Sequence, residues 1–226
     1  MSIGAVIVAG GSGTRMKRKE KKQYLKLKNK PIFIITLSRM LKIKEIDKVV
    51  LVIPQEDRSK VENYIEKNNI NGIRLAFSGK RRQDSVFNGL KKLDMCDSVI
   101  IHDGVRPFFR KKMVKNGIKK LKKFDAVITA VPLNDTIKLK KDNLVIETIN
   151  RDQLVAVQTP QFFKFNKLLK YYKEYNKLSF TDDSYLFELK RENISIIMGA
   201  KENIKITTPF DYKIAKCLVK EGFINV

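Results

Sequence analysis

Glycines and fixed cations stand together near the amino terminus. A short apolar run ends at Gly10, Gly11 and Gly13, and Arg15 and a lysine-rich stretch that includes Lys22 follow it. Glycines at the end of a strand let the backbone approach a ligand closely, because no Cβ intervenes. Backbone amides beside cations are what a polyphosphate requires. The segment predicts a nucleotide phosphate site, with a tight turn followed by solvated lysines as the plain alternative.

Two familiar phosphate-binding patterns do not describe this segment. A dinucleotide fingerprint needs a helix with an apolar face directly after its third glycine, whereas the residues after Gly13 are almost all charged. The G-x-x-x-x-G-K-[ST] pattern is also absent from the sequence. The segment therefore predicts nucleotide binding of another kind, through an extended loop over the phosphates.

A second polar motif follows the predicted strand 98–102. Asp103 comes directly after it and is followed by a glycine and Arg106. A carboxylate at a strand end beside an arginine suits a Mg²⁺ ligand next to a phosphate site, with an Asp-Gly turn and a surface ion pair as the alternative. His102 is the only histidine, and we interpret it as structural because nothing nearby marks it as a base.

Two further stretches carry cations where a ligand is expected. Gly79 and Ser85 bracket three cations that begin with Lys80, which suits a nucleotide's base, ribose or phosphate, or else a polar loop with a helix cap. Lys205 interrupts an apolar run. Its side chain either points to solvent by simple alternation or reaches an anion in the site.

Composition limits the class of protein. At 226 residues, with 43% hydrophobic and 31% charged residues, the chain is expected to form one soluble domain over 1–226. Its net charge of +23 is spread along the whole chain, which favours solvated lysines over a nucleic-acid groove or a membrane surface. Cys96 and Cys217 are too few for a disulfide scaffold, so we expect a reducing cytoplasm. The first apolar run is short and leads directly into glycine and charge, so we expect neither a signal peptide nor a membrane span.

Apolar runs of strand length alternate with longer amphipathic stretches. This alternation predicts an α/β fold with a mainly parallel central sheet. The predicted strands are 3–9, 48–54, 72–77, 98–102, 126–132, 194–198 and 203–207. The predicted helices are 31–42, 56–67, 83–93, 112–123, 164–175, 182–190 and 209–220.

The last two predicted helices have recognisable beginnings. Thr181, followed by two acids, and Thr208, followed by Pro209, are N-cap candidates, and Gly222 is placed to end the last helix. Apolar residues repeat every four positions in that helix, and we expect three of them to face the core: Phe210, Ile214 and Leu218.

The region 134–158 departs from the alternation of strands and helices. Alternating apolar residues flank a turn at 140–143, which predicts a β-hairpin arm. A projecting hairpin exposes sheet edges, and proteins usually cover such edges. A partner subunit or the arm's own domain would serve as the cover.

The order and spacing of these motifs carry more information than any one motif. The motifs lie, in order, at 10–16, 22–25, 82–86, 102–108, 135–138, 158–163, 181–183 and 203–209. With these motifs the chain resembles, over essentially its whole length, the 2-C-methyl-D-erythritol 4-phosphate cytidylyltransferases of non-mevalonate isoprenoid synthesis. The resemblance implies transfer of CMP from CTP to the methylerythritol phosphate with release of pyrophosphate, Mg²⁺ as cofactor, and a Rossmann-like nucleotidyltransferase domain whose β-arm joins a homodimer.

The resemblance also implies roles for individual residues. Arg15 and Lys22 match the pair that stabilises the transition state at the CTP α-phosphate, and Asp103 matches the Mg²⁺-associated aspartate. The nucleotide-binding positions are matched by Ala9, Gly10, Gly11, Gly13, Gly79, Lys80 and Ser85.

The acceptor site is expected to draw on both subunits of a dimer. Arg106, in the aspartate's signature, and Lys205 match residues that position the acceptor within one chain. Arg151 and Thr136 match residues of the arm, and we expect them to serve the neighbouring subunit's site.

The chain departs from the family pattern at two positions. Lys21 stands where proline is common, and Val105 replaces a commoner small residue. The second change also resembles the ribitol-5-phosphate cytidylyltransferases, whereas the segments 82–86 and 181–183 favour the methylerythritol enzyme. The alternative from another class is a lysine-rich nucleic-acid-binding protein with a degenerate nucleotide fold.

Overall fold

A seven-stranded sheet forms the centre of the protein. The computed structural model describes residues 1–11 and 20–224, so the predicted site residues Gly13 and Arg15 lie outside the described residues. The sheet contains β1 (Ile3–Val8), β4 (Lys48–Ile53), β5 (Ile73–Phe77), β6 (Ser98–Asp103), β7 (Ala126–Pro132), β10 (Val155–Lys164) and β11 (Ile194–Met198), and its spatial order is β11-β7-β10-β6-β1-β4-β5. Only β10 runs antiparallel to its neighbours, which confirms the predicted α/β fold with a mainly parallel sheet.

Helices cover both faces of this sheet. The helices are α1 (Ile32–Leu41), α2 (Arg58–Lys67), α3 (Arg82–Lys92), α4 (Lys111–Leu121), α5 (Phe165–Glu174), α6 (Tyr185–Leu189) and α7 (Pro209–Lys220). Side chains alternate along each strand, so Ile7 packs with α1 and α4 whereas Val6 packs with α3 and α5. In β10, Phe162 and Phe163 divide between the same two cores. Helix α7 closes a third apolar cluster with the ribbon of β2 (Lys26–Leu27) and β3 (Lys30–Pro31).

Two strand predictions need correction. The predicted strand 203–207 is irregular backbone, because it has no ladder of backbone hydrogen bonds and is joined to the neighbouring segment by a single one, from the Ile206 amide to the Val105 carbonyl. Strand β10 was not predicted. Its polar Gln158-Thr159-Pro160 stretch interrupts the apolar pattern, and Pro160 lies where the pairing with β7 shifts register.

Of the two predicted helix N-caps, one is confirmed and the other is wrong. Thr208 caps α7 as predicted, since its hydroxyl accepts the Asp211 amide, and Gly222 takes a positive φ of 78° just beyond the end. Thr181 does not cap α6, which begins only at Tyr185 after Ser184. The turn before this helix is held instead by Asp182, whose Oδ1 accepts the Ser184 amide at 2.8 Å.

The apolar face of α7 is also corrected. Phe210 was expected in the core but is 69% exposed, and Ile214 and Leu218 are only partly buried. The buried stripe is instead Tyr212, Ala215 and Val219. The reason lies in a tertiary contact, because the Tyr212 hydroxyl donates to the Lys26 carbonyl and turns that side of the helix towards β2.

The predicted hairpin forms, and within the described part of the chain its strands pair only with each other. Strands β8 (Ile137–Lys141) and β9 (Leu144–Ile149) are joined at Asp142, which adopts a positive φ of 51°. Residues 155–158, which the prediction assigned to the arm, instead pair with β7 in the main sheet. Leu144, Val145 and Ile146 are exposed on β9, so the arm presents an uncovered apolar surface.

No helix in the described part of the chain has both the length and the apolar content needed to cross a bilayer.

Candidate active site

A cavity of about 360 Å³ opens where β1 and β6 end. Parallel α/β sheets bind ligands beyond the carboxyl ends of their strands, and this cavity occupies that place. Nine of the predicted site residues line it: Ala9, Gly10, Gly11, Lys22, Gly79, Lys80, Ser85, Asp103 and Lys205. The structure thus brings together positions that are separated by nearly the whole chain.

At two glycines in the cavity wall, the neighbouring residues leave no room for a side chain. A Cβ on Gly10 would lie 2.3 Å from the Ser78 Cβ, and one on Gly79 would lie 2.4 Å from the Asp84 Cβ. The Ser85 hydroxyl accepts the Gly79 amide at 3.1 Å and donates to the Arg81 carbonyl. The loop before α3 is therefore held against the end of β1, with its backbone facing the cavity.

Lys22 enters the cavity from a short 3₁₀ turn over Lys22–Tyr24. The turn is tied to the glycine segment, because Gln23 Nε2 donates to the Gly11 carbonyl at 3.1 Å. The Lys22 Cε lies 3.7 Å from the point where a Gly11 Cβ would stand. The predicted catalytic lysine thus lies beside the predicted phosphate loop.

Asp103 is the buried negative charge of the site. Lys205 Nζ lies 3.0 Å and Arg106 Nε 3.2 Å from its Oδ2, and Arg82 Nε lies 3.6 Å from its Oδ1. Burial opposes ionisation of this carboxyl, but Arg82, Lys205 and Arg106 together hold its pKa well below the usual range. The carboxylate is therefore ionised at neutral pH, as a metal ligand must be.

The described residues could bind Mg²⁺ only together with the substrate, which would have to supply part of its ligands. No cluster of three or more His, Cys, Asp or Glu side chains suited to a metal occurs among residues 1–11 and 20–224. Mg²⁺ in phosphoryl-transfer sites commonly takes one or two carboxylates and completes its shell with substrate phosphates and water. Asp103, at the cavity wall, fits that requirement.

Arg82 is a residue of the cavity wall that the sequence prediction did not single out. It lines the cavity, and its Nη1 lies 2.8 Å from Oδ2 of the buried Asp183, whose other oxygen accepts the Tyr172 hydroxyl. Burial and the Asp183 charge raise the pKa of Tyr172, so its hydroxyl stays protonated. The available signal was an arginine at the start of a helix just after a glycine loop.

His102 is structural, as predicted. The Arg106 carbonyl can only accept, so His102 Nε2 carries the ring proton and donates to it at 3.0 Å. Nδ1 then accepts the Thr159 hydroxyl, whose oxygen accepts the Asp103 amide. Burial lowers the pKa of His102 to about 4. The neutral ring therefore fixes the turn that carries Asp103 and Arg106.

Three predicted positioning residues do not line this cavity. Arg106 supports Asp103 and donates through Nη1 to the Asn203 carbonyl at 2.8 Å. Thr136 and Arg151 are exposed at the base of the arm, where Arg151 bonds the Asn134 carbonyl. Within one chain the arm residues are thus separate from the site.

Comparison with known proteins shows the family to which the chain belongs. A family model described as 2-C-methyl-D-erythritol 4-phosphate cytidylyltransferase matches residues 3–221. The chain belongs to this family. A family member from Clostridioides difficile (strain 630) is 44% identical over 215 residues, covering 93% of this chain and 91% of the relative. Another, from Carboxydothermus hydrogenoformans, is 41% identical over 225 residues, covering 98% and 97%.

A solved structure supports the same assignment. The crystal structure of 4-diphosphocytidyl-2C-methyl-D-erythritol synthase from Anaerococcus prevotii matches with a TM-score of 0.86 and 36% identity over 97% of this chain and 96% of that one. The chain is therefore a nucleotidyltransferase of the methylerythritol phosphate family, which confirms the prediction from the ordered motifs. The relatives described above are all named for methylerythritol. None of them supports the alternatives of a ribitol-5-phosphate cytidylyltransferase or a nucleic-acid-binding protein.

The environment of His102 predicts a pH effect on stability. The pKa of His102 is about 4 in the folded protein, below the ordinary 6.5. Between pH 6.5 and pH 4 the ring is therefore protonated in the unfolded chain and neutral in the folded protein. From this residue alone we expect the free energy of unfolding to fall by about 2 kcal/mol between pH 7 and pH 5.

The measurement is direct because the chain has a single histidine. Its ring resonances in the folded protein should not titrate between pH 8 and pH 5.5, and urea unfolding should show the loss of stability. A folded-state midpoint near 6.5 would contradict the buried, neutral assignment.

Proposed function

We propose that the chain transfers CMP from CTP to 2-C-methyl-D-erythritol 4-phosphate within the cavity described above. The observation that carries the proposal is the arrangement of Lys22, Lys205 and Arg82 with glycine backbone around the ionised Asp103, in a chain of this family. An acceptor phosphate oxygen attacks the α-phosphorus of CTP in line, and pyrophosphate leaves. The products are 4-diphosphocytidyl-2-C-methyl-D-erythritol and pyrophosphate.

The main difficulty of this reaction is electrostatic. The attacking phosphate is already anionic, so the reaction needs no protein nucleophile, but it brings a dianion to a highly charged triphosphate. Two unit charges about 5 Å apart repel by roughly 3 kcal/mol at an effective dielectric constant near 20. Fixed cations that need no reorganisation cancel several such repulsions in the transition state.

Each cation has a proposed place in that task. Lys22, beside Gly11, would stabilise the charge that develops at the α-phosphate, a task that the family resemblance also gives to Arg15. Lys205, which lines the cavity, would meet the acceptor's phosphate. Asp103 would hold Mg²⁺, which neutralises phosphate charge when bound. Arg82 and Arg106 keep the Asp103 carboxylate ionised and in position.

We further propose that the protein acts as a homodimer through the arm. Thr136 and Arg151 lie away from their own chain's cavity, and β9 exposes Leu144, Val145 and Ile146. An exposed apolar hairpin is a surface that a partner covers. In the dimer, Arg151 of one chain would position the acceptor in the other chain's site.

The acceptor is tested by pyrophosphate release. With CTP and Mg²⁺, we expect turnover with 2-C-methyl-D-erythritol 4-phosphate and at least about 10²-fold less with ribitol 5-phosphate, since a site built for one hydroxyl pattern leaves polar groups unpaired with another. Comparable or greater turnover with ribitol 5-phosphate would overturn the acceptor assignment.

The role of Lys22 is tested by substitution. Lys22→Ala should keep the fold and lower turnover by about 10²-fold or more, because preorganised charge at the transition state is typically worth that much. Lys119→Ala, on the exposed side of α4, is the matched control and should leave kcat unchanged. Near-normal turnover in the Lys22 variant would remove it from the catalytic machinery.

The dimer is tested by complementation. Arg151→Ala and Lys22→Ala are each expected to be impaired, and mixing them in equal amounts should restore activity. A two-fold hybrid has one site with both residues intact, so random exchange predicts about a quarter of wild-type activity. Lack of rescue, after mass spectrometry has confirmed subunit exchange, would argue against a site shared between chains.

A further inference from the structure

Outside the cavity, an ion-pair network attaches residues 20–24 to the start of α2. Lys21 Nζ lies 2.7 Å from Glu56 Oε1 and 2.7 Å from Asp57 Oδ2. The Tyr24 hydroxyl donates to the same Asp57 oxygen at 2.8 Å. The two residues attached to Asp57 therefore flank Lys22 and Gln23 in the chain.

This clamp, defined as Lys21 with Glu56 and Asp57, is partly shielded from solvent. The side chain of Lys21 is 27% exposed and that of Asp57 is 15% exposed. Burial opposes the charge on Lys21, but its hydrogen bonds to Asp57 and Glu56 raise its pKa, so it stays protonated throughout the neutral range. Shielded pairs are screened less by salt than exposed ones.

Tyr24 provides the rigid side of the attachment. Its buried ring packs edge-on against Phe33 and is stacked with Tyr64, at centroid distances of 5.7 and 6.4 Å. Lys60 lies over the same ring, 4.2 Å from its centroid. Asp57 is thus bonded to a tyrosine that the core holds in place, and Lys21 is attached to that fixed point.

The clamp lies immediately next to the proposed catalytic lysine. Lys21 does not line the cavity, whereas Lys22 does. Lys21 has extended backbone, with φ −60° and ψ 137°, and its carbonyl accepts the Tyr24 amide at 3.0 Å to start the turn. The position of Lys21 therefore determines where the turn begins and where Lys22 enters the site.

We propose that Lys21 is a positioning residue for the reaction, whose paired contact with Glu56 and Asp57 holds the turn that presents Lys22 to the CTP phosphates. The proposal rests on the proposed role of Lys22. A displacement of about 1 Å at a reacting group, caused by a change outside the chemistry, can cost on the order of 10²-fold in rate. The loss of one clamp should cost less, because Tyr24 still anchors the other side of the turn.

The first experiment measures kcat and KM for CTP in Lys21→Met and Lys21→Arg. We expect Lys21→Met to lower kcat about tenfold, with a smaller change in KM, since Lys22 acts on charge that develops in the transition state. Lys21→Arg keeps the paired contact and should stay within about threefold of wild type.

A matched control separates positioning from general stability. Lys167 bridges two carboxylates in the same manner, with Asp125 at 2.7 Å and Glu192 at 2.8 Å, and lies away from the cavity. Lys167→Met should lower the melting temperature about as much as Lys21→Met but leave kcat unchanged. Glu56→Gln, at an exposed position, removes one of the two negative charges that pair with Lys21 and should lower kcat about threefold in a folded protein.

The decisive test is a double-mutant cycle with Lys22. If Lys21 acts through Lys22, adding Lys21→Met to Lys22→Ala should lower kcat no further. The inference is overturned if Lys21→Met retains wild-type kcat, or if it lowers kcat by the same factor with and without Lys22. The proposed function fails separately, through a wild-type protein without CTP turnover or a Lys22→Ala variant with normal turnover.

Discussion

The carboxylate of Asp103 is the charge around which the cavity is organised. An isolated carboxylate is costly to bury, and here three cations from different parts of the chain offset that cost: Arg82 from α3, Arg106 from the turn after β6, and Lys205 from the segment after β11. Each of these cations also holds its own segment against the site. Removing the carboxylate would therefore leave three like charges directed towards the same point.

The surroundings of Asp103 connect this charge to the core. His102 and Thr159 fix the backbone of the turn, and β10 brings Thr159 there by running antiparallel beside β6. Arg82 extends the connection to Asp183, which accepts the Tyr172 hydroxyl from α5. The preorganised charge that phosphoryl transfer requires is thus supported by neutral hydrogen bonds on one side and a buried ion pair on the other.

Strands and helices with regular patterns were predictable, and the errors have identifiable causes. β10 escaped prediction because Gln158 and Pro160 break its apolar run, although its neighbours in the sheet accommodate both. The segment 203–207 alternates like a strand, but in place of a ladder it makes one backbone–backbone hydrogen bond to Val105. Phe210 fits a helical repeat, yet the contact of Tyr212 with Lys26 selects another face of α7.

The sequence by itself determined the family, the parallel sheet, the hairpin, and most residues of the cavity, because glycines, strand ends and ordered motifs are local features of the chain. Only the tertiary structure decided which cation meets which carboxylate. Arg82 and Asp183 are 101 residues apart, and Lys21 and Asp57 are 36 apart. In a chain with 47 Lys and Arg residues, spacing cannot distinguish a solvated lysine from one that holds a catalytic turn, because the partner comes from another element of the fold.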